Sequence, residues 1–174
     1  MGGWDEAHGT LTDPVLYGYR SYPRAAGLLS RCAVVEDWGC GGGGFRQFRT
    51  SGYRGVDSSE TPWADVTADL VSYRSDVDGI LLRHVLEHSH GWARILDNAL
   101  ASFRQRLVVI LFTPLVDVTR SIRVEVDYDD APVYSFRLAD LTDRVDAAGL
   151  RYRTWTVESD DTFYETETFL VVDR

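Results

Sequence analysis

The stretch that most constrains this chain is Val34-Val35-Glu36-Asp37-Trp38-Gly39-Cys40-Gly41-Gly42-Gly43-Gly44-Phe45, an apolar run that meets an acid and then a loop of glycines. Glycine needs no clearance for a Cβ and accepts positive φ, so this loop can turn sharply and let a ligand lie against bare backbone. The stretch reads as a binding loop.

Composition bounds what is bound. The 174 residues suit one domain spanning 1–174 with a sizeable core, and 44% hydrophobic content with mixed charge is that of an ordinary globule. The longest apolar run, Leu107 to Phe112, is too short to span a bilayer, and the acidic start Met1-Gly2-Gly3-Trp4-Asp5-Glu6 has no apolar signal core. A cytoplasmic protein with no membrane partner is expected. A formal net charge of −9 argues against nucleic acid, whose binding draws on a basic face, and favours a small-molecule partner. All 18 basic residues are Arg, which reads first as compositional bias and second as a supply of forks for carboxylates. Cys32 and Cys40 make no disulfide framework, and Cys40 is read as tolerated for its size, not used as a nucleophile.

Along the chain, residues 1–12 carry no periodic pattern and read as an arm. Asp13-Pro14 opens a helix, Pro23 is expected to break it, and Ala25 to Leu29 to resume it, so 1–31 forms an arm and a kinked helix. Val34 to Trp38 is a first strand, Phe45 and Phe48 begin a helix after the glycines, and Tyr53 to Asp57 is a second strand ending in an acid. Only seven residues separate Asp57 from Asp65, so the crossover helix there is cut to a turn or replaced by a lid-like loop with Pro62 and Trp63. Asp65 to Leu70 and Val77 to Leu82 give the third and fourth strands. Trp92, Ile95, Leu96, Ala99, Leu100 and Phe103 lie on one face of an amphipathic helix, and Leu107 to Phe112 reads as a central strand covered on both faces. Within 113–134, alternating Ile122, Val124 and Val126 suggest a small hairpin arm. Leu138, Leu141, Val145 and Ala148 mark a helix closed by Gly149, and Leu150 to Val157 with Thr166 to Val172 form an antiparallel pair at an edge. Strands alternating with helices before a terminal hairpin give an α/β three-layer sandwich.

Asp37-x-Gly39-x-Gly41-x-Gly43 resembles the first motif of class I S-adenosylmethionine-dependent methyltransferases, and the resemblance extends over nearly the whole chain. The same loop also spells G-x-G-x-x-G at Gly39, Gly41 and Gly44, the dinucleotide fingerprint, so the glycines alone leave a nicotinamide cofactor open. Asp37, two residues before the first glycine, suits a cofactor with a cationic amino-acid head and no pyrophosphate. The terminal hairpin also resembles the methyltransferase sheet. The resemblance implies S-adenosylmethionine as methyl donor and a seven-stranded, mainly parallel sheet with an antiparallel C-terminal strand.

It also implies roles. The acid closing the second strand, here Asp57, holds both ribose hydroxyls, which a carboxylate can accept together; otherwise it is a solvated strand end. Asp69 falls where the family contacts the adenine amino group, with Leu70 against the ring and Asp65 competing for the part. Arg20 lies about where relatives place an arginine that meets the cofactor carboxylate, or else is a plain surface residue. Leu82-Arg83-His84-Val85-Leu86-Glu87-His88 looks like the H-V-L-E-H segment of many small-molecule methyltransferases, where the residue matching Arg83 touches the cofactor's methionine part.

His84 and His88 share a face if their segment is helical. A neutral imidazole there can take the proton from an acceptor hydroxyl. A metal role is open by similarity to ubiquinone-biosynthesis O-methyltransferases, which carry E-x-x-E-H. Here His84-x-x-Glu87-His88 replaces the first acid, and magnesium-like ions prefer oxygen, so no metal is assigned. A packed histidine with a capping Glu is the third reading. Asp127, Asp129 and Asp130 read as an exposed turn. Trp4, Tyr17, Tyr22, Trp63, Trp92 and Tyr134 are candidates for acceptor-pocket walls, though most aromatics are core.

The expected activity is O-methylation of a hydroxyl on a small polar acceptor such as a sugar or natural product. Oxygen is chosen because a histidine base is at hand. The shortened crossover leaves a shallow acceptor site for the N-terminal arm, residues 113–134 or a partner subunit in a homodimer to complete. The alternative from another class is a cofactor-binding regulatory or scaffold protein without transfer activity.

Overall fold

The computed structural model of the chain describes residues 20–122, 131–160 and 162–174. Helix α1 (Ser21–Leu28) leads into β1 (Val35–Trp38), β2 (Tyr53–Asp57), β3 (Val66–Thr67) and β4 (Val77–Arg83). Helix α2 (Trp92–Ser102) then runs directly into β5 (Phe103–Leu111). After the two-residue strands β6 (Arg120–Ser121) and β7 (Tyr134–Ser135), helix α3 (Leu138–Ala147) is followed by β8 (Arg151–Glu158) and β9 (Thr166–Asp173).

Seven of these strands form one sheet in the order β3-β2-β1-β4-β5-β9-β8. All neighbours pair in parallel except that β9 runs antiparallel to both β5 and β8. This is the mainly parallel sheet with a reversed C-terminal strand that the resemblance implied. Alternation along the strands explains the layers, since successive side chains leave a strand on opposite faces. Ile80, Leu82, Leu107, Val109, Leu111, Leu170 and Val172 pack with α2 and α3. Leu81, Val108, Ile110, Phe169 and Val171 pack with Tyr22, Ala25 and Leu29 of the α1 region. Both faces are covered, which is why residues 80–82 of β4 and 107–111 of β5 read as unbroken apolar runs.

Several expectations are corrected. Pro23 does not break a helix: it sits in the first turn of α1, where its missing N–H has no carbonyl partner to lose. The segment after the glycines is a five-residue 3-10 helix, Gly44–Phe48, not the start of an α-helix. Phe103 belongs to β5 and not to the helix before it. The third strand shrinks from Asp65–Leu70 to β3, because the chain turns at Asp69: its carboxylate accepts the N–H of Val71 at 2.9 Å and its carbonyl those of Ser72 and Tyr73 at 3.0 and 2.9 Å. The shortened second crossover, by contrast, is as the seven-residue spacing predicts, with no helix between β2 and β3. Asp13, Pro14, Val124 and Val126 lie outside the described residues, which contain only the base of the expected arm, β6 paired with β7.

Helix α3 ends as its sequence predicts. Gly149 takes φ +69°, its N–H bonds the Asp146 carbonyl at 2.9 Å, and the Leu150 N–H reaches back to Val145 at 3.2 Å. That is the double bond of a glycine-closed helix end.

Candidate active site

In an open parallel sheet the strand ends leave a crevice where the chain departs to either side. Here β1, β2 and β4 end in step, with Trp38 opposite both Val56 and Leu82. The glycine loop, Asp57 and the Arg83–His84 bend therefore rise from the carboxyl ends of adjacent strands inside the sheet.

The loop is pinned to β2. Gly39 N–H bonds the Val56 carbonyl at 2.7 Å, and Gly41 N–H donates to Asp57 Oδ2 at 2.8 Å, while Ser59 N–H donates to Asp57 Oδ1 at 3.0 Å. Each carboxylate oxygen has two lone pairs, so Asp57 keeps acceptor capacity after holding the loop. Two glycines are required by shape. A Cβ on Gly39, at φ +77°, would stand 2.5 Å from Val85 Cγ2, and one on Gly43, at φ +70°, would stand 2.7 Å from the Trp63 ring. The bare backbone is thus lined by Val85 and Trp63.

Asp37 lies under the loop, 3% exposed, with Tyr53 Oη donating to its Oδ2 at 3.2 Å. Burial raises its pKa to about 7, against the lowering effect of the Tyr53 hydrogen bond. A carboxyl in that state gains most from a cation brought beside it. Cys40 is buried, and burial raises its thiol pKa, so it remains protonated. Asp69 is exposed in the turn after β3, Leu70 is 7% exposed and packs with Trp38 and Val56, and Asp65 accepts the Gly55 N–H at 2.8 Å. Arg20 pairs with Asp160 of the β8–β9 turn at 2.8 Å, both side chains largely exposed.

The histidine segment differs from a helix. His84 adopts φ +58°, and only Leu86–His88 forms a 3-10 turn. His84 and His88 do not share a helix face; instead both rings contact Phe112, at centroid distances of 5.0 and 5.3 Å. Burial lowers the pKa of His84 to about 4 and also lowers that of His88, so both rings are neutral at neutral pH. Glu87 is fully buried, its Oε1 accepting the Phe112 N–H at 2.6 Å, and burial raises its pKa to about 8. Among the described residues, no three His, Cys, Asp or Glu side chains are grouped as a metal site.

Sequence reasoning missed Glu167, Tyr53 and Phe112. Glu167 Oε1 lies 2.8 Å from His84 Nε2 and 3.3 Å from Arg83 Nη2. The signal was an acid between Thr166 and Thr168, directly ahead of the apolar run 169–172 of β9. Of the proposed acceptor walls, Tyr22 is buried with the Arg83 guanidinium 4.5 Å above its ring, and Trp63 packs on the loop. Trp92 and Tyr134 lie against Phe136 on the α2–α3 side. Trp4, Tyr17, Asp127, Asp129 and Asp130 lie outside the described residues.

The sheet order, the reversed β9 and the loop at the end of β1 together define the class I, Rossmann-like methyltransferase fold. The solved structures agree. The 1,6-didemethyltoxoflavin-N1-methyltransferase of Burkholderia thailandensis, with its acceptor and S-adenosylhomocysteine bound, superposes with a TM-score of 0.69 at 19% identity, over 88% of this chain and 78% of that one. The magnesium protoporphyrin IX methyltransferase of Synechocystis, with S-adenosylhomocysteine, gives 0.68 at 17%, over 89% and 82%. The cyclase SpnF gives 0.62 at 12%, over 97% and 86%. No protein-family model matches the chain, and no curated protein matches it in sequence. No described helix is long and apolar enough to cross a membrane.

Proposed function

We propose that this chain is an S-adenosylmethionine-dependent methyltransferase that O-methylates a hydroxyl of a small polar acceptor such as a saccharide or natural product. The observation that carries the reading is the coupling of the glycine loop to Asp57 above the buried Asp37. A glycine loop, the Asp57 carboxylate bonded to it with acceptor capacity to spare, and a carboxyl in need of a cation lie at adjacent strand ends. These suit, in turn, the close approach of a nucleoside, its ribose hydroxyls and an amino-acid ammonium. Asp69 and Leu70 are assigned to the adenine, and Arg83 and Arg20 to the methionine end.

When bound, S-adenosylmethionine supplies a methyl group already activated on a sulfonium. The protein's own work is then to align the acceptor oxygen and to remove its proton. A neutral histidine at the end of β4 suits that task, with His84 the first choice and His88 the second. The solved neighbours act on didemethyltoxoflavin and magnesium protoporphyrin IX, so the fold itself selects neither oxygen nor an acceptor. We assign oxygen on the strength of the histidine base. A homodimer completing a shallow acceptor side is part of the same proposal.

The second reading is a protein of this fold without transfer activity, which the likeness to a cyclase favours. One experiment separates the two. Purified protein is incubated with S-adenosylmethionine and a panel of methyl glycosides, catechol and caffeic acid, and S-adenosylhomocysteine is quantified. Acceptor-dependent release, reduced at least tenfold in His84→Ala, is expected. Calorimetric binding of S-adenosylhomocysteine with no turnover on any acceptor supports the second reading, and tight binding of NAD in its place overturns both.

A further inference from the structure

Glu167 is fully buried on β9, and nothing in the cofactor assignment uses it. Three elements converge on it. Its Oε1 faces His84 Nε2 at 2.8 Å and accepts Arg83 Nη2–H at 3.3 Å, while Arg83 Nε–H donates to Ser21 Oγ of α1 at 2.8 Å. Burying an acid and a guanidinium in a sheet costs several kcal/mol per ion unless they are paired and hydrogen-bonded, so such a cluster is an expense that a purely apolar packing would avoid.

The protonation pattern follows from the partners. Arg keeps its proton, and a carboxylate can only accept. Burial by itself would raise the Glu167 pKa, yet the His84 hydrogen bond and the Arg83 guanidinium hold it below the usual range, so it is ionised. The ring nitrogen 2.8 Å away must then carry the hydrogen. His84 is neutral, so its one ring proton sits on Nε2, and Nδ1 keeps a lone pair. The positive φ at His84 turns the chain sharply at the strand end, and contact with Phe112 limits ring rotation. The side chain remains 18% exposed.

We propose, resting on the methyl-transfer reading, that Glu167 is the positioning residue of this site: it fixes His84 as the Nε2–H tautomer and so presents Nδ1 to the acceptor hydroxyl as the proton acceptor. As the acceptor oxygen bonds to the methyl carbon and the carbon–sulfur electron pair returns to sulfur, the hydroxyl proton passes to Nδ1. The imidazolium is paired with the Glu167 carboxylate until the proton leaves to solvent. A weak base suffices, because the hydroxyl becomes strongly acidic as its oxygen acquires the methyl.

The test has two arms that fail separately. In the first, protein with 15N-labelled histidine is studied by long-range 1H–15N NMR, with the His84 signals identified by their loss in His84→Gln. The Nε2–H pattern is expected in the wild type. In Glu167→Gln, whose amide can either accept from or donate to Nε2, both tautomers should be populated. An Nδ1–H pattern in the wild type, or an unchanged pattern in Glu167→Gln, overturns the proposal; should that variant not fold, the wild-type pattern alone decides. In the second arm, on any panel acceptor that is methylated, Glu167→Gln should lower kcat about 10- to 100-fold and leave the KM for S-adenosylmethionine within twofold. Unchanged kcat overturns the positioning role. A wild type that methylates nothing on the panel overturns the methyl-transfer reading, and the tautomer still answers for Glu167.

Discussion

In the proposed function Asp37 is both a cost to the fold and the reason a ligand binds. Among the described residues its one side-chain donor is Tyr53, and burial holds its pKa at about 7. In that reading a cationic amino-acid head beside it would add to the slight positive field of Arg83 and favour the ionised form. Binding should therefore be linked to ionisation. Below pH 7 the carboxyl must first lose its proton, so affinity for S-adenosylhomocysteine should rise with pH, approaching tenfold per unit between pH 5.5 and 6.5, and level off above 7. Asp37→Asn keeps the shape and removes the charge; it should weaken binding roughly 10- to 100-fold and flatten the profile, since an ionic partner adds a few kcal/mol when desolvated. Calorimetry across that range reads both effects. A wild-type profile that is flat would remove Asp37 from the ammonium site.

At the scale of elements, two glycines at nearly the same φ separate backbone strain from packing. Gly149 closes α3 at φ +69° with nothing within 4 Å of an added Cβ, whereas at Gly43, at φ +70°, the same atom meets the Trp63 ring. Gly149→Ala should cost about 1 kcal/mol, the price of the left-handed backbone alone. Gly43→Ala should cost about 1 to 3 kcal/mol more, because the Trp63 ring must move, and should also disturb cofactor binding. Urea denaturation of both variants, with calorimetry on the second, checks the difference. The same contrast explains what the sequence disclosed. The apolar runs 80–82 and 107–111 announced β4 and β5, and Gly149 announced the end of α3, because each signal is local and repeats the rule of its element. The turn at Asp69 that shortens β3 and the place of Pro23 are local too, but the spacing of apolar residues does not report them. The bend at His84, by contrast, depends on bonds and contacts made across the chain, to Ile110, Phe112 and Glu167. So does the Glu167–His84 pair, whose partners are 83 positions apart. Spacing within a motif cannot reveal a partner on another strand.

For the whole molecule, the buried ionisable groups set opposing slopes of stability against pH. His84, depressed to about 4, makes the native state bind fewer protons than the unfolded chain between pH 4 and 6.5, so its contribution rises with pH there and is complete above 6.5. Glu87 and Asp37 act in the other sense. Their native pKa values of about 8 and about 7 lie above those of the unfolded chain, so the native state holds protons that the unfolded state has lost. That advantage is full below the unfolded values near pH 4 and declines as pH rises to the native values. Above pH 6.5 the contribution of His84 is level while those of the two acids are still declining, so stability should fall. Glu87 accounts for about 2 kcal/mol between pH 6.5 and 8.5, at roughly 1.4 kcal/mol per pH unit while it remains protonated, and Asp37 for less than about 1 kcal/mol because it is half ionised by pH 7. Glu87→Gln imitates the protonated acid and can still accept the Phe112 N–H, so it should remove most of the slope and gain on the wild type as pH rises. Urea midpoints of the two proteins at pH 6.5, 7.5 and 8.5 measure this. Parallel curves would show that Glu87 is already ionised in the native protein, and that the β4–β5 strand ends carry a negative charge beside His84 which the proton transfer would have to accommodate.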